Sequence, residues 1–139
     1  MPITIAALRE TADGERRVAI TPETAKKYAA RGVRVLLERA AGEAAGFPDA
    51  TYANVEFGDA GAVAGQADVL LCVQPPSNDR VAVVKEGAAL IGQLRPHNAA
   101  DRLATYAQRR LAAFSLELLP RTTRAQAMDV LSSQAAVAG

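Results

Sequence analysis

The sequence has one cysteine, one histidine and no tryptophan, and each scarcity closes off a class of chemistry. A lone Cys72 excludes an internal disulfide and suits a reducing compartment. With His97 the only histidine, the chain lacks the partners for a zinc site or a Cys/His dyad, so no metal is expected. Three Tyr and three Phe leave few stacking platforms, and sixteen basic residues against fifteen acidic ones give a net charge of +1. That balance offers no broad positive field for nucleic acid. No apolar run approaches the roughly eighteen residues of a membrane span. The start Met1-Pro2-Ile3-Thr4 lacks the basic region of a signal peptide, so a soluble, cytoplasmic chain is expected. Ten glycines are present, yet no G-x-G-x-x-G follows a strand and no G-x-x-x-x-G-K-S/T occurs. The usual cradle for a pyrophosphate at a helix N-terminus is therefore not encoded. Ala41 to Gly46 bears two glycines, but it carries Glu43 and reads as a plain loop.

What is present is the pattern of one α/β domain. A chain of 139 residues can bury about two-thirds of its unfolded surface without staples. Short apolar runs at Ile3–Leu8, Val33–Leu37, Asp68–Val73, Ala88–Leu94 and Ala112–Leu116 read as strands. Helix-like segments lie between them. Thr21 caps the first, with Pro22 at its first position and Glu23 at the positive end of its dipole. Ala25, Tyr28 and Ala29 form its buried stripe, and Gly32 ends it. Pro48-Asp49 opens a short helix toward Val55. Ser77–Lys85 and Ala99–Arg110 supply two more helices, and Pro75-Pro76 stop the third strand. The expectation is a flavodoxin-like, doubly wound parallel sheet of about five strands in three layers. Ala125 to Ala138 reads as a further helix, interrupted at Gly139, which suggests a polypeptide lacking a partner domain.

Two polar clusters stand out. Arg9-Glu10 and Arg16 to Pro22 follow the first strand, where open α/β sheets bind ligands. Arg17 is the candidate clamp there, because its fork can hold a carboxylate or phosphate bidentately. A charged loop solvated at the sheet edge remains the competing reading. The second cluster, Pro120 to Gln134, sets two guanidinium groups, two amides, a carboxylate and four hydroxyls within fifteen residues. Arg121 and Asp129 can pair to shape the loop, and the Gln126 amide complements a ligand carboxamide. Ser132 adds a hydroxyl. A receiver-type phosphoacceptor site is excluded, because the first strand leads into Arg9-Glu10 and the third ends Val73-Gln74-Pro75, without the Mg²⁺-binding carboxylates.

These stretches resemble the alanine dehydrogenase and transhydrogenase superfamily. Arg9-Glu10 with Arg17-Val18-Ala19-Ile20-Thr21-Pro22 looks like its opening, and Gly42 to Tyr52 is similar to its next landmark. Pro120 to Gln134 most resembles the nicotinamide-contacting loop of the transhydrogenase branch. The resemblance implies that residues 1–139 form the N-terminal domain of an NAD(H)-binding α subunit of a proton-translocating NAD(P) transhydrogenase. The NAD-binding Rossmann domain that follows in the family is absent from this chain.

The resemblance further implies that Arg121, Gln126, Asp129 and Ser132 hold the nicotinamide while hydride passes directly to NADP⁺. NADP(H) would sit on a partner subunit, with proton translocation in a membrane subunit and the domain in a homodimer. It would be peripheral to the inner membrane through those partners, and inactive alone. Alanine dehydrogenases place a lysine late in the third strand and a histidine after the fourth; the matching positions here are Cys72 and Arg95. His97 is displaced by two residues. Two alternatives stay open: the substrate domain of an amino-acid dehydrogenase, and a non-catalytic α/β binding or assembly module.

Overall fold

The computed structural model describes residues 3–94 and 100–115, except the side chain of residue 101. Six strands are present: β1 (Thr4–Ala7), β2 (Arg34–Glu38), β3 (Val55–Gly58), β4 (Val69–Leu71), β5 (Ala89–Gly92) and β6 (Ala112–Ser115). They form a single sheet in the order β3-β2-β1-β4-β5-β6. Every pairing is parallel. The helices are α1 (Pro22–Ala30), α2 (Ala60–Gln66), α3 (Asn78–Val81) and α4 (Ala100–Gln108). No described helix is long and apolar enough to cross a membrane.

The doubly wound parallel sheet is as the sequence implies, with one strand more. The addition is β3, on the outer edge beside β2. Where the sequence implies a short helix from Asp49 toward Val55, the chain makes one 3-10 turn at Asp49–Thr51 and then enters β3. Asn54, in the left-handed region at φ 61°, turns the chain into that strand. α2 likewise has no counterpart in the sequence reading, because Gly61 and Gly65 weaken its helical signal. Burial of Val63 and Ala64 against the sheet outweighs that propensity.

Each remaining element follows from local chemistry. Thr21 caps α1: its hydroxyl accepts from the Thr24 amide at 3.2 Å, and its own amide donates to the Thr24 hydroxyl at 2.8 Å. This reciprocal box satisfies two donors that the first turn leaves open. Asp68 stays outside β4 and finishes its start. Its carboxylate accepts from the Thr4 amide at 2.9 Å and from Lys85 Nζ at 2.6 Å.

The core has two halves, one on each face of the sheet. Leu36, Leu70 and Leu90 meet Val63, Val81, Val84 and Tyr106 on the face covered by α2, α3 and α4. Val35 and Leu37 meet Ile20, Ala25 and Tyr52 on the face covered by α1. Each large aliphatic side chain so buried contributes about 1.5–3 kcal/mol. Along that second face Ala7, Leu71, Ile91 and Phe114 share one register row. Ala7 is fully buried, Leu71 and Ile91 are half-buried, and Phe114 is exposed.

Tyr52 ties the loop after β2 to the entrance of α1. Its hydroxyl donates to the Ile20 carbonyl at 2.7 Å, and its ring packs edge-on to Phe57 with centroids 5.9 Å apart. Gly42 passes so close beneath it that a β-carbon there would lie 2.7 Å from the Phe47 carbonyl. The glycine is thus a packing necessity in this loop. Tyr52→Phe keeps the ring but removes the donor to a buried carbonyl. It is expected to cost about 1–3 kcal/mol, read from denaturant unfolding; an unchanged midpoint would show that the hydroxyl does not hold this loop.

Candidate functional site

In the order β3-β2-β1-β4-β5-β6 the connections reverse direction between β1 and β4. The loops leaving these neighbouring strands part to opposite faces and open a crevice at the carboxyl edge, where such sheets bind ligands. The Arg9 to Arg17 stretch rises from β1 on one side. Val73, Gln74 and the two prolines rise from β4 on the other.

The crevice is bridged by the chain's own carboxylate. Glu10 accepts from the Val73 amide at 2.9 Å and from the Gln74 amide at 3.0 Å, one on each oxygen. Paired backbone N–H groups at a switch point are donors that a phosphate would otherwise use. Here Glu10 occupies them. The missing glycine-rich motif and this plug agree that the crevice is not a pyrophosphate cradle. Burial pushes the Glu10 carboxyl above its ordinary 4.5, opposed by the two amides and assisted by nearby Glu15.

Arg17 stands at the same edge with its fork already engaged. Its Nε donates to Glu15 at 3.0 Å, its Nη2 donates to the other Glu15 oxygen at 2.9 Å, and its backbone N–H donates at 2.9 Å. Gln74 Nε2 adds a fourth bond to Glu15, at 2.9 Å, from the β4 side. The Glu15 side chain is only 8% exposed, against 35% for Arg17. The carboxylate is the more buried partner of the pair. The Arg17 fork holds the Glu15 carboxyl down at about 2.

A second brace lies beside the first. Arg80 of α3 pairs with Glu38 at the end of β2 at 2.7 Å and donates to the Arg9 carbonyl at 3.1 Å. The Arg9 amide completes the loop by donating to Glu38 at 2.7 Å. Further out, Asp49 accepts from the amide of Ala40, which sits at φ 65°. Cys72 is 5% exposed, and burial raises its thiol well above the usual range. It is a core residue in its protonated form. A β-carbon on Gly92 would collide with its sulfur and carbonyl.

Of the residues singled out from sequence, Arg17 is placed at the crevice. Arg121, Gln126, Asp129 and Ser132 lie outside the described residues, as do Arg95 and His97. Sequence reasoning misses Glu15 and Gln74 as partners of Arg17. A signal exists for Glu15, an acid two residues before an arginine within a loop. None exists for Gln74, which is 59 positions away from Glu15. No cluster of three or more metal-ligating side chains occurs among the described residues.

Comparison with known proteins adds a family. Residues 6–138 match the domain described as alanine dehydrogenase/PNT, N-terminal domain. The chain is 40% identical over 143 residues to the first part of NAD(P) transhydrogenase subunit alpha from Rhodospirillum rubrum, covering 97% of this chain and 37% of that protein. It is 36% identical over 105 residues to the alanine dehydrogenase of Halomonas elongata, covering 73% of this chain and 28% of that protein. Among solved structures it is similar to transhydrogenase from Sinorhizobium meliloti, with TM-score 0.84 and 37% identity over 95% of this chain and 40% of the other. The chain thus spans well under half the length of the curated relatives it matches.

The Glu15–Arg17 pair makes a pH-dependent contribution whose sign is fixed. Its carboxyl is lowered from 4.5 to about 2, so the stabilisation is complete above 4.5 and disappears as pH falls through 2. Glu10 is shifted the other way and partly offsets it. Arg17→Met should flatten the fall in stability between pH 4.5 and 2. Unfolding midpoints across that window check it, and an unchanged slope would dissolve the pair as an energetic unit.

Proposed function

We propose that this chain, which belongs to the alanine dehydrogenase/PNT N-terminal domain family, is the N-terminal domain of a transhydrogenase α subunit and holds the nicotinamide end of NAD(H) for hydride transfer. The observation that carries this reading is the likeness to transhydrogenase α subunits, which runs through nearly the whole chain. The crevice supports it. Because Glu10 takes the two amides at the switch point, the dinucleotide's phosphates have to be held by another domain. What remains for this one is the ring and its carboxamide.

The chemistry asked of such a domain is positioning. Hydride moves directly between two nicotinamide rings, so no side chain has to carry a proton. Arg121, Gln126, Asp129 and Ser132 would orient the ring through its carboxamide, with NADP(H) presented by a partner subunit. Proton translocation would belong to a membrane subunit, and the domain would work at the membrane through it. Cys72 argues against the amino-acid dehydrogenase alternative. A buried thiol with a raised pKa cannot serve as a general base near pH 7.

Gln126→Asn in the complete enzyme tests this reading. Shortening the amide should lose about one net hydrogen bond, roughly a tenfold loss or less in NADH affinity. Hydride transfer is more sensitive, since a displacement near 1 Å can cost roughly a hundredfold. The hydride-transfer rate should therefore fall further than the affinity. Pre-steady-state rates measured beside NADH dissociation constants decide it, and a wild-type transfer rate would remove Gln126 from the clamp.

A further inference from the structure

Between Glu10 and Glu15, both bound into the crevice, the chain makes a bare turn. Thr11 to Gly14 are all exposed. The Glu15 amide donates to the Ala12 carbonyl at 3.0 Å, with Gly14 at φ 75° as the third residue of the turn. Glycine suits that left-handed position. A β-carbon on Gly14 would meet no atom within 4 Å. Asp13-Gly14 is also the one Asp-Gly pair in the sequence, and no Asn-Gly pair occurs. Among the described residues, neither the Asp13 carboxylate nor the Gly14 amide has a hydrogen-bond partner.

These are the two reacting groups of a backbone isomerisation. The Gly14 nitrogen can attack the side-chain carboxyl carbon of Asp13, because glycine has no side chain to crowd the approach. One hydrogen bond closes the turn, so the local opening that brings nitrogen over carbon disturbs little else. The N–Cγ bond forms, the Cγ–OH bond of the carboxylic acid breaks, and the amide proton leaves with that hydroxyl as water. The product is a five-membered succinimide. Water then adds back to the ring. Attack at Cγ restores aspartate. Attack at the backbone carbonyl breaks its bond to the Gly14 nitrogen and leaves the chain running through Cγ, as isoaspartate. The net change adds one methylene to the backbone, leaves mass and charge as they were, and needs no other reagent.

We propose that Asp13-Gly14 is a site of spontaneous isomerisation to isoaspartate, and that this change uncouples Glu15 from the crevice. The turn is held at both ends. Glu10 is fixed on the Val73 and Gln74 amides, and Glu15 on Arg17 and on Gln74 Nε2. A backbone lengthened between two such anchors displaces one of them. Glu15 follows Gly14 directly and is held through its side chain, so its bonds are the ones lost. Thr11 and Ala12 separate Glu10 from the altered link, and its bonds stay.

The test holds the intact protein warm at neutral pH and samples it by tryptic mapping, where Asp13 falls in the peptide Glu10–Arg16. That peptide should split with time into two forms of equal mass, the new one accepting methyl groups from an isoaspartate-specific methyltransferase. Peptides carrying Asp49-Ala50 and Asp79-Arg80 should stay single. Asp13→Ser removes the carbon under attack and should abolish the second form. Gly14→Asn keeps a residue that tolerates the left-handed turn and should slow the reaction several-fold. As the isomerised fraction grows, the fall in stability between pH 4.5 and about 2 that Glu15 produces should flatten, while Asp13→Ser held alike keeps its slope. A Glu10–Arg16 peptide that stays single, or a second form that persists in Asp13→Ser, overturns the modification site. Isomerised protein with the slope of fresh protein overturns the uncoupling of Glu15.

Discussion

The bond on which this architecture turns is the carboxylate of Glu10 lying across the amides of Val73 and Gln74. A doubly wound sheet has one place where its connections diverge, and there the loops have no helix between them to share. Left open, that crevice would expose two backbone donors and the ends of two buried strands. Glu10 closes it from within. The loop after β1 and the loop after β4 become one structure, and Glu15, Arg17 and Gln74 are aligned as a consequence. Burial opposes a charged Glu10, and the two amide bonds are what make it tolerable.

On the proposed function, this arrangement would divide the holding of a dinucleotide between this domain and another. A dinucleotide presents a charged, flexible middle and a flat, neutral reactive end. A domain whose switch point is already filled is poorly suited to the former, but its rigid polar edge suits the latter. Orientation is where such an edge is most effective, since small displacements are costly to hydride transfer. The braces from Arg80 to Glu38 and from Gln74 to Glu15 cross between strands and fix that edge to the sheet.

Much of the fold is legible in the residues. The five longer apolar runs each form a strand, and Thr21-Pro22 open α1 as their chemistry requires. β3 is not legible, because the four residues that follow Asn54, the last of them a glycine, carry too little alternation to read. α2 is hidden by its two glycines, and only burial against the finished sheet reveals it. The site divides in the same way. Arg17 is visible as a fork beside a strand end. Its engagement by Glu15 is hinted at by spacing, while Gln74 and the bridging role of Glu10 arise from neighbours more than fifty residues apart. Contacts of that range are products of topology and leave no local mark.

The short edge strand β3 also governs how this domain meets its own kind. An open edge offers unpaired N–H and C=O groups, a template on which another extended chain can polymerise. Here it runs for only four residues. Arg34 grips Glu56 through two hydrogen bonds at one end, and Arg39 pairs with Asp59 at the other. A strand trying to add alongside would find few backbone groups to pair with and would have to part charged side chains to reach them. The extension of the sheet beyond five strands thus ends, on the β3 side, in a border that resists further extension.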